Sequence, residues 1–245
     1  MRKFDIVNAL IAKNRYTKYL EICTPSTGLR FSRVDESALC WRHRLLYRCP
    51  AGYRDGAEIT FRSEGDEISH LLDQAMAYDL IFVDPYHTFE CSMRDLQTAL
   101  KMLRPGGTIV VHDCSPKDKQ LCSASFRAGS WFGVTYCAYI EFALSDPSLV
   151  HYTVDSDCGC GVIKKLPRAT ATATATMTEK DRRSNEFARL WFNERGRQRD
   201  IFDFFCQHRR ELLNLISVKD FLERENIVLP RFWQWRESLA TILQI

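Results

Sequence analysis

Four side chains able to bind or move protons fall inside one short stretch, DLIFVDPYHTFECSMRDLQTALKMLRPGGTIVVHD, which runs from Asp79 to Asp113: Asp84, His87, His112 and Asp113. An unperturbed imidazole titrates near neutrality, so a histidine beside a substrate hydroxyl can take its proton. Two carboxylates that converge can hold one cation or one positively charged ligand. Each residue also has a plainer reading. An aspartate at a strand end can cap the following loop or helix through backbone N–H groups, and a histidine there can cap or orient. Strand alternation sends neighbouring side chains to opposite sides, so Asp113 is expected in the site and His112 in a packing or supporting place.

These residues matter only if the chain brings them together. DLIFV and TIVV are almost wholly apolar, as central strands covered on both faces must be. Between them, Phe89 to Leu103 puts Met93, Leu96, Leu100 and Leu103 on one face at helical spacing, with Arg94, Asp95, Gln97 and Lys101 on the other. Pro105-Gly106-Gly107 then stops the helix and turns the chain back. Strand, crossover helix and strand in that order make parallel neighbours whose C-terminal ends share one edge. Ligands of open α/β sheets bind at that edge, near the point where strand order reverses.

The same alternation extends from Tyr19 to about Lys165, with strands expected at YLEIC, LLYRC, EITFR, DLIFVD, GGTIVVHD, VHYTVD and CGVIKK, parallel and joined by crossover helices. Residues 1–166 read as this domain. The low-complexity tract RATATATATMTEK marks a linker over 167–180. Over 181–245 the pattern is that of a helical C-terminal extension. Phe187, Leu190, Trp191, Ile201, Phe202, Phe204 and Phe205 suggest an aromatic-rich amphipathic helix, and ELLNLISVKDFLERENI a short helix pair.

A chain of 245 residues with 45% apolar and 27% charged residues has the make-up of a globular protein, and no apolar run is long enough to cross a bilayer. MRKFDIVNALIAKN reads as a first helix, and the protein as cytoplasmic. A net charge of +3, with basic stretches at Arg42-His43-Arg44 and Arg195 to Arg199 that lack interleaved aromatics, argues against a nucleic-acid partner. The ten cysteines are scattered rather than paired at metal or disulfide spacing, so they read as buried thiols. Cys114 follows the acidic block but needs an activating base and an oxyanion site to be a nucleophile. Cys158-Gly159-Cys160 lacks the gap of a redox pair.

The first strand and its loop, YLEICTPSTGLRF, place an acid in an apolar strand before a small-residue turn. Such a turn lets backbone N–H groups approach a ligand, although a structural turn reads equally well. With DLIFVDPYHTFECSMRDL, LRPGGTIVVHD, WFGVTYCAYIEF and VDSDCGCGVIKK, this stretch resembles the class I S-adenosylmethionine-dependent methyltransferases, within them a bacterial group that modifies glycans or small metabolites. The distal ELLNLISVKDF is similar to that group's C-terminal segment. The resemblance implies a doubly wound, Rossmann-like α/β fold with a mixed seven-strand sheet, its last strand antiparallel. It implies S-adenosylmethionine as donor, held by Glu21, Cys23, Thr24, Gly28, Cys49 and Asp84, and a catalytic pair of His87 as base with Asp84. Related O-methyltransferases hold magnesium at these strand ends, which here means Asp84 and Asp113.

The implied reaction is O-methylation of a small-molecule or glycan acceptor, such as a sugar, with no membrane partner. The aromatic extension serves as lid, acceptor wall or homodimer contact. Cys23 replaces the usual glycine after the strand-one acid, and Cys49 stands where a carboxylate would accept from the donor's ribose. Asp35, Glu36, Asp55 and Asp66 are the acids available to compensate. The competing reading is a non-catalytic binding or scaffold protein that has lost the donor site. A nicotinamide-dependent oxidoreductase would need a glycine fingerprint of which only Gly28 is present.

Overall fold

The computed structural model describes residues 1–24, 33–35, 37–47, 59–62, 77–146, 148–165, 189–191, 193 and 201–228. In chain order these form α1 (Lys3–Asn14), β1 (Lys18–Cys23), β2 (Trp41–Tyr47), β3 (Ile59–Arg62), β4 (Tyr78–Asp84), α2 (Phe89–Met102), β5 (Leu103–Val111), α3 (Thr135–Ser145), β6 (Leu149–Val154), β7 (Cys160–Lys165), α4 (Ile201–Leu212), β8 (Leu215–Ile216) and α5 (Val218–Arg224). The seven expected strands are joined by an eighth from the C-terminal region, in the order β3-β2-β1-β4-β5-β7-β6-β8. Strands β2, β1, β4 and β5 are mutually parallel, and β7 lies antiparallel between β5 and β6.

Two features depart from the expected all-crossover run. Strand β3 pairs antiparallel with β2, because a parallel partner needs a crossover of a dozen or more residues and the chain between these strands is shorter. Strand β2 starts at Trp41 and ends at Tyr47, ahead of the expected LLYRC, which leaves Cys49 outside the described residues.

Strand β4 shows how the sheet is held. All its residues are buried, and their two-residue period divides them between two cores. Ile81 and Val83 face one core with Leu96 and Ala99 of α2, Tyr136 and Ile140 of α3, and Phe202 and Phe205 of α4. Leu80 and Phe82 face the other with Phe4, Val7 and Leu10 of α1 and Phe221 of α5. Burying each such side chain contributes about 1.5–3 kcal/mol, enough to fix which way the strand faces. The sheet is therefore covered on both sides, and its functional edge is left to the strand ends.

The described residues of the C-terminal region, 189–191 and 201–228 among them, belong to this same packing. Trp191 and Phe205 are fully buried, and Phe205 lies 4.5 Å from the Tyr136 ring, so these aromatics are spent inside the chain rather than offered to a second copy. In place of the expected helix pair, α4 leads into β8, which pairs with β6, and then into α5. Asn214 sits at φ 45°, a left-handed break after α4. Ser217 restarts the helix by accepting from Asp220 N at 3.1 Å. Glu225 ties the segment back to the sheet, taking Tyr152 Oη at 2.8 Å and Lys164 Nζ at 2.6 Å. The Ala/Thr tract over 167–180, Phe187 and the Trp-rich end lie outside the described residues. Among the described residues no helix is long and apolar enough to cross a membrane.

Candidate active site

The switch point lies between β1 and β4, since the chain leaves β1 for β2 on one side and returns through β4 on the other. There Cys23 pairs in register with Asp84. On the far side of β4, His112 N donates to Val83 O at 3.0 Å and carries the sheet one residue past β5. Asp113 then turns to φ 58°, outside strand geometry. That turn overrides the expected alternation: His112 and Asp113 both reach the same cluster instead of opposite faces, which corrects the supporting place expected for His112.

The turn is braced by Cys114 N donating to Gly159 O at 3.1 Å and Ser115 N to Cys158 O at 2.8 Å. Gly159 has φ +86°, and a Cβ there would lie 2.3 Å from Ser115 Cβ, so no other residue fits the approach.

His87 is placed from two sides. Thr88 caps α2 by accepting from Cys91 N at 3.3 Å, which sets the chain just ahead of the helix. Val134 N donates to His87 O at 2.8 Å, across a contact where a Cβ on Gly133 would lie 1.9 Å from that oxygen. His87 Nδ1 lies 2.7 Å from Trp131 O. A carbonyl only accepts, so Nδ1 carries the proton and in the neutral ring Nε2 keeps the lone pair. Nε2 faces the acids, 3.2 Å from Asp113 Oδ2 and 3.8 Å from Asp84 Oδ1.

His112 Nδ1 lies 3.2 Å from Asp113 Oδ1 and 3.4 Å from Asp84 Oδ1. Lys3 completes the group, with Nζ 2.7 Å from Asp84 Oδ2 and 3.4 Å from His112 Nδ1. Lys3 begins α1, and its backbone N donates to Asp157 Oδ2 at 2.9 Å. Nothing local in the sequence marks Lys3: it is separated from Asp84 by 81 positions and meets it only because α1 lies across the β4 face.

All five side chains are largely removed from water, with the Asp84 side chain only 1% exposed. Burial by itself would raise the Asp84 carboxyl, but His112, His87 and Lys3 outweigh it and hold that carboxyl well below the usual range. Burial works equally against a charged His112 ring, and the two aspartates overcome it, pushing His112 up to about 10. His87 is raised as well, its burial outweighed by Asp84, Asp113 and the Trp131 carbonyl. Among the described residues, His87 Nε2, His112 Nε2 and Asp113 Oδ1 are buried with ion-pair contacts alone and no well-aligned hydrogen bond, and Ser115 Oγ is buried without a hydrogen bond. Buried polar atoms are nearly always satisfied, so their collection at the C-terminal strand ends fits a polar ligand.

Asp84, His87 and Asp113 are thus brought together, each offering a ligand atom within 4.8 Å of the others. Magnesium takes oxygen ligands, whereas this set includes an imidazole and has an ammonium already on Asp84, so it does not fit that ion. Of the residues expected to hold the donor, Cys23 and Thr24 are buried at the end of β1, where Cys23 pairs with Asp84. Glu21 is engaged internally, with Arg44 Nη2 3.3 Å and Cys23 Sγ 3.2 Å from Oε1 and Tyr19 Oη donating to Oε2 at 3.3 Å. Gly28, Cys49, Glu36, Asp55 and Asp66 lie outside the described residues, and Asp35 is exposed, accepting from Ser37 N. Cys114 is fully buried, burial pushes its thiol well up, and it faces the carbonyls of Val111 and His112, an environment for an inert thiol. Cys158 and Cys160 are free thiols.

Residues 8–114 match the model of a family described as a methyltransferase domain. Among solved structures, the chain is similar to a candidate O-methyltransferase from Klebsiella pneumoniae, at 15% identity and a TM-score of 0.40 over 67% of this chain and 79% of that one. It is also similar to the O-methyltransferase from Bacillus cereus in complex with S-adenosylhomocysteine, at 13% identity and 0.39 over 65% and 78%. A third is the O-methyltransferase TomG from Streptomyces achromogenes in complex with S-adenosylmethionine, at 10% identity and 0.38 over 66% and 78%. No curated protein matches the chain.

Proposed function

We propose that the protein is a class I methyltransferase, in keeping with the match of residues 8–114 to a methyltransferase-domain model, and that it methylates an oxygen of a small metabolite or sugar in the cytoplasm, with S-adenosylmethionine as donor. The observation that carries the reaction type is His87, whose Nδ1 is locked on the Trp131 carbonyl while Nε2 stands 3.2 Å from Asp113 in a cluster of buried titratable groups at the strand ends. The donor supplies a methyl group already activated by its sulfonium charge. What the chain must add is alignment of the acceptor and removal of its proton.

His87 Nε2 takes that proton, and the resulting imidazolium is stabilised by Asp113 and Asp84 on one side and the Trp131 carbonyl on the other. The carbonyl keeps the ring from rotating, so the same nitrogen meets each acceptor. Cys23, Thr24 and Asp84, at the paired ends of β1 and β4, border the donor. Gly28 and Cys49 complete the set of donor contacts we assign.

Titration calorimetry with S-adenosylmethionine, followed by turnover on a panel of hydroxylated metabolites and sugars, tests this reading. Donor binding with turnover that collapses in His87→Ala supports it. A second reading, a scaffold without a donor site, is favoured by the closure of Glu21 onto Arg44. No heat at millimolar donor would decide for that scaffold.

A further inference from the structure

The two acids of this cluster would each carry a negative charge in a place nearly closed to water, an arrangement that demands a cation. The described residues already supply two, the Lys3 ammonium on Asp84 and the His112 ring between the two acids. The Lys3 ammonium lies 2.7 Å from Asp84 Oδ2, the His112 ring bridges Asp84 and Asp113, and Asp157 holds the Lys3 backbone in place. Lysine is a compact charge with three donors on a flexible stem, suited to act as a point cation where geometry is set by the partners.

A divalent ion bound by Asp84, His87 and Asp113 would sit against this ammonium in a low-dielectric space, where like charges repel strongly. Its ligands would include a nitrogen, and its Asp84 ligand would be shared with Lys3. We infer that Lys3 is the resident cation on Asp84, a positioning residue that neutralises this carboxylate beside the His112 ring and takes the place of a divalent metal. The transferase reaction then runs without an added metal, and α1 is part of the active-site machinery through its first residue.

The inference concerns the site assigned above, but its main test needs no turnover. Full-length wild-type protein is titrated with Mn(II), followed by electron paramagnetic resonance, and with Zn(II), followed by calorimetry. No stoichiometric site up to about millimolar metal is expected, because the ammonium already fills the role. Lys3→Ala and Lys3→Gln remove the charge and are expected to gain at least about tenfold in affinity for one ion per chain, with Asp84→Asn abolishing the gain.

Lys3→Arg keeps the charge and is expected to stay metal-free, which separates loss of charge from loss of fold. Tight metal binding by the wild type that disappears in Asp84→Asn overturns the inference. So does a Lys3→Gln protein, folded by circular dichroism, that binds no better than wild type. Where donor binding and turnover are observed, chelation by EDTA is expected to leave turnover unchanged. Absence of turnover would count against the proposed reaction and leave the metal titration to judge Lys3.

Discussion

Strand β4 carries an aspartate near each end, and the two are treated in opposite ways. At the N-terminal end, Asp79 Oδ2 accepts from the backbone N–H groups of Thr17 and Lys18 at 2.7 and 2.9 Å, while Arg104 Nε pairs with Oδ1. At the C-terminal end, Asp84 is surrounded by the side chains of Lys3, His87 and His112, and among the described residues Ser115 Oγ nearby is buried without a hydrogen bond. Backbone donors are fixed by the fold and make Asp79 a joint between β1, β4 and β5. Titratable side chains can exchange protons and yield to a ligand, so the same residue type becomes the floor of a site. The difference teaches that an acid's role is read from the kind of donor that meets it, not from its burial.

The widest separation between the two ends should appear in turnover. His87→Ala is expected to lower kcat by about 100-fold or more while donor Kd stays within about twofold. Asp79→Asn should leave kcat close to wild type. Equal losses in the two variants would erase the distinction, and steady-state kinetics with calorimetry on the same samples reads both.

Stability comes next. Asp84→Ala leaves Lys3 beside a lost partner in a buried place and should cost about 3 kcal/mol in urea unfolding. Asp79→Ala, which removes charged hydrogen bonds to Thr17, Lys18 and Arg104, should cost about 2 kcal/mol.

The pH dependences should run in opposite directions. Burial tends to raise Asp79, but the Thr17 and Lys18 N–H groups and Arg104 leave it lowered. Its contribution is present above the unfolded value of about 3.9 and is lost as pH falls through the folded one. His112 is raised to about 10, so its contribution is complete below the unfolded value of about 6.5 and is lost as pH climbs toward about 10. Urea midpoints measured from pH 6 to 10 should decline for the wild type and decline less for His112→Gln.

The smallest expected effect is in the rate profile. His87 is raised, and only its neutral form accepts a proton, so the acid limb of kcat should lie above the ordinary value of about 6.5. Replacing Trp131 by Phe keeps the carbonyl that holds Nδ1 and should leave that limb in place. A limb displaced in Trp131→Phe would show that the indole, not the backbone, sets the ring.

Much of the framework was legible because it follows from local periodicity. Apolar runs at DLIFV and TIVV and a 3.6-residue stripe from Met93 to Leu100 are properties of neighbouring residues, and the structure has β4, β5 and α2 there, although Leu103 and the expected Pro105-Gly106-Gly107 turn fall inside β5, which follows α2 directly. Parallel pairing then put Asp84 and Asp113 at one edge. The antiparallel β3 and the added β8 were less visible, since pairing direction depends on connection length and on which strand edge is left open, and a two-residue strand has no periodicity of its own.

What the amino-acid sequence determined by itself was therefore the central β4-α2-β5 unit, with Asp84, His87 and Asp113 at its strand ends, because each of those placements rests on contacts between residues close in the chain. Only the tertiary structure decided that Lys3 and His112 join them, that Glu21 is closed by Arg44, and that Trp191, Phe202 and Phe205 are buried in the common core. Those outcomes depend on a helix crossing a sheet, a left-handed turn at Asp113 and strands meeting from distant parts of the chain, and such long-range geometry leaves no mark on local spacing.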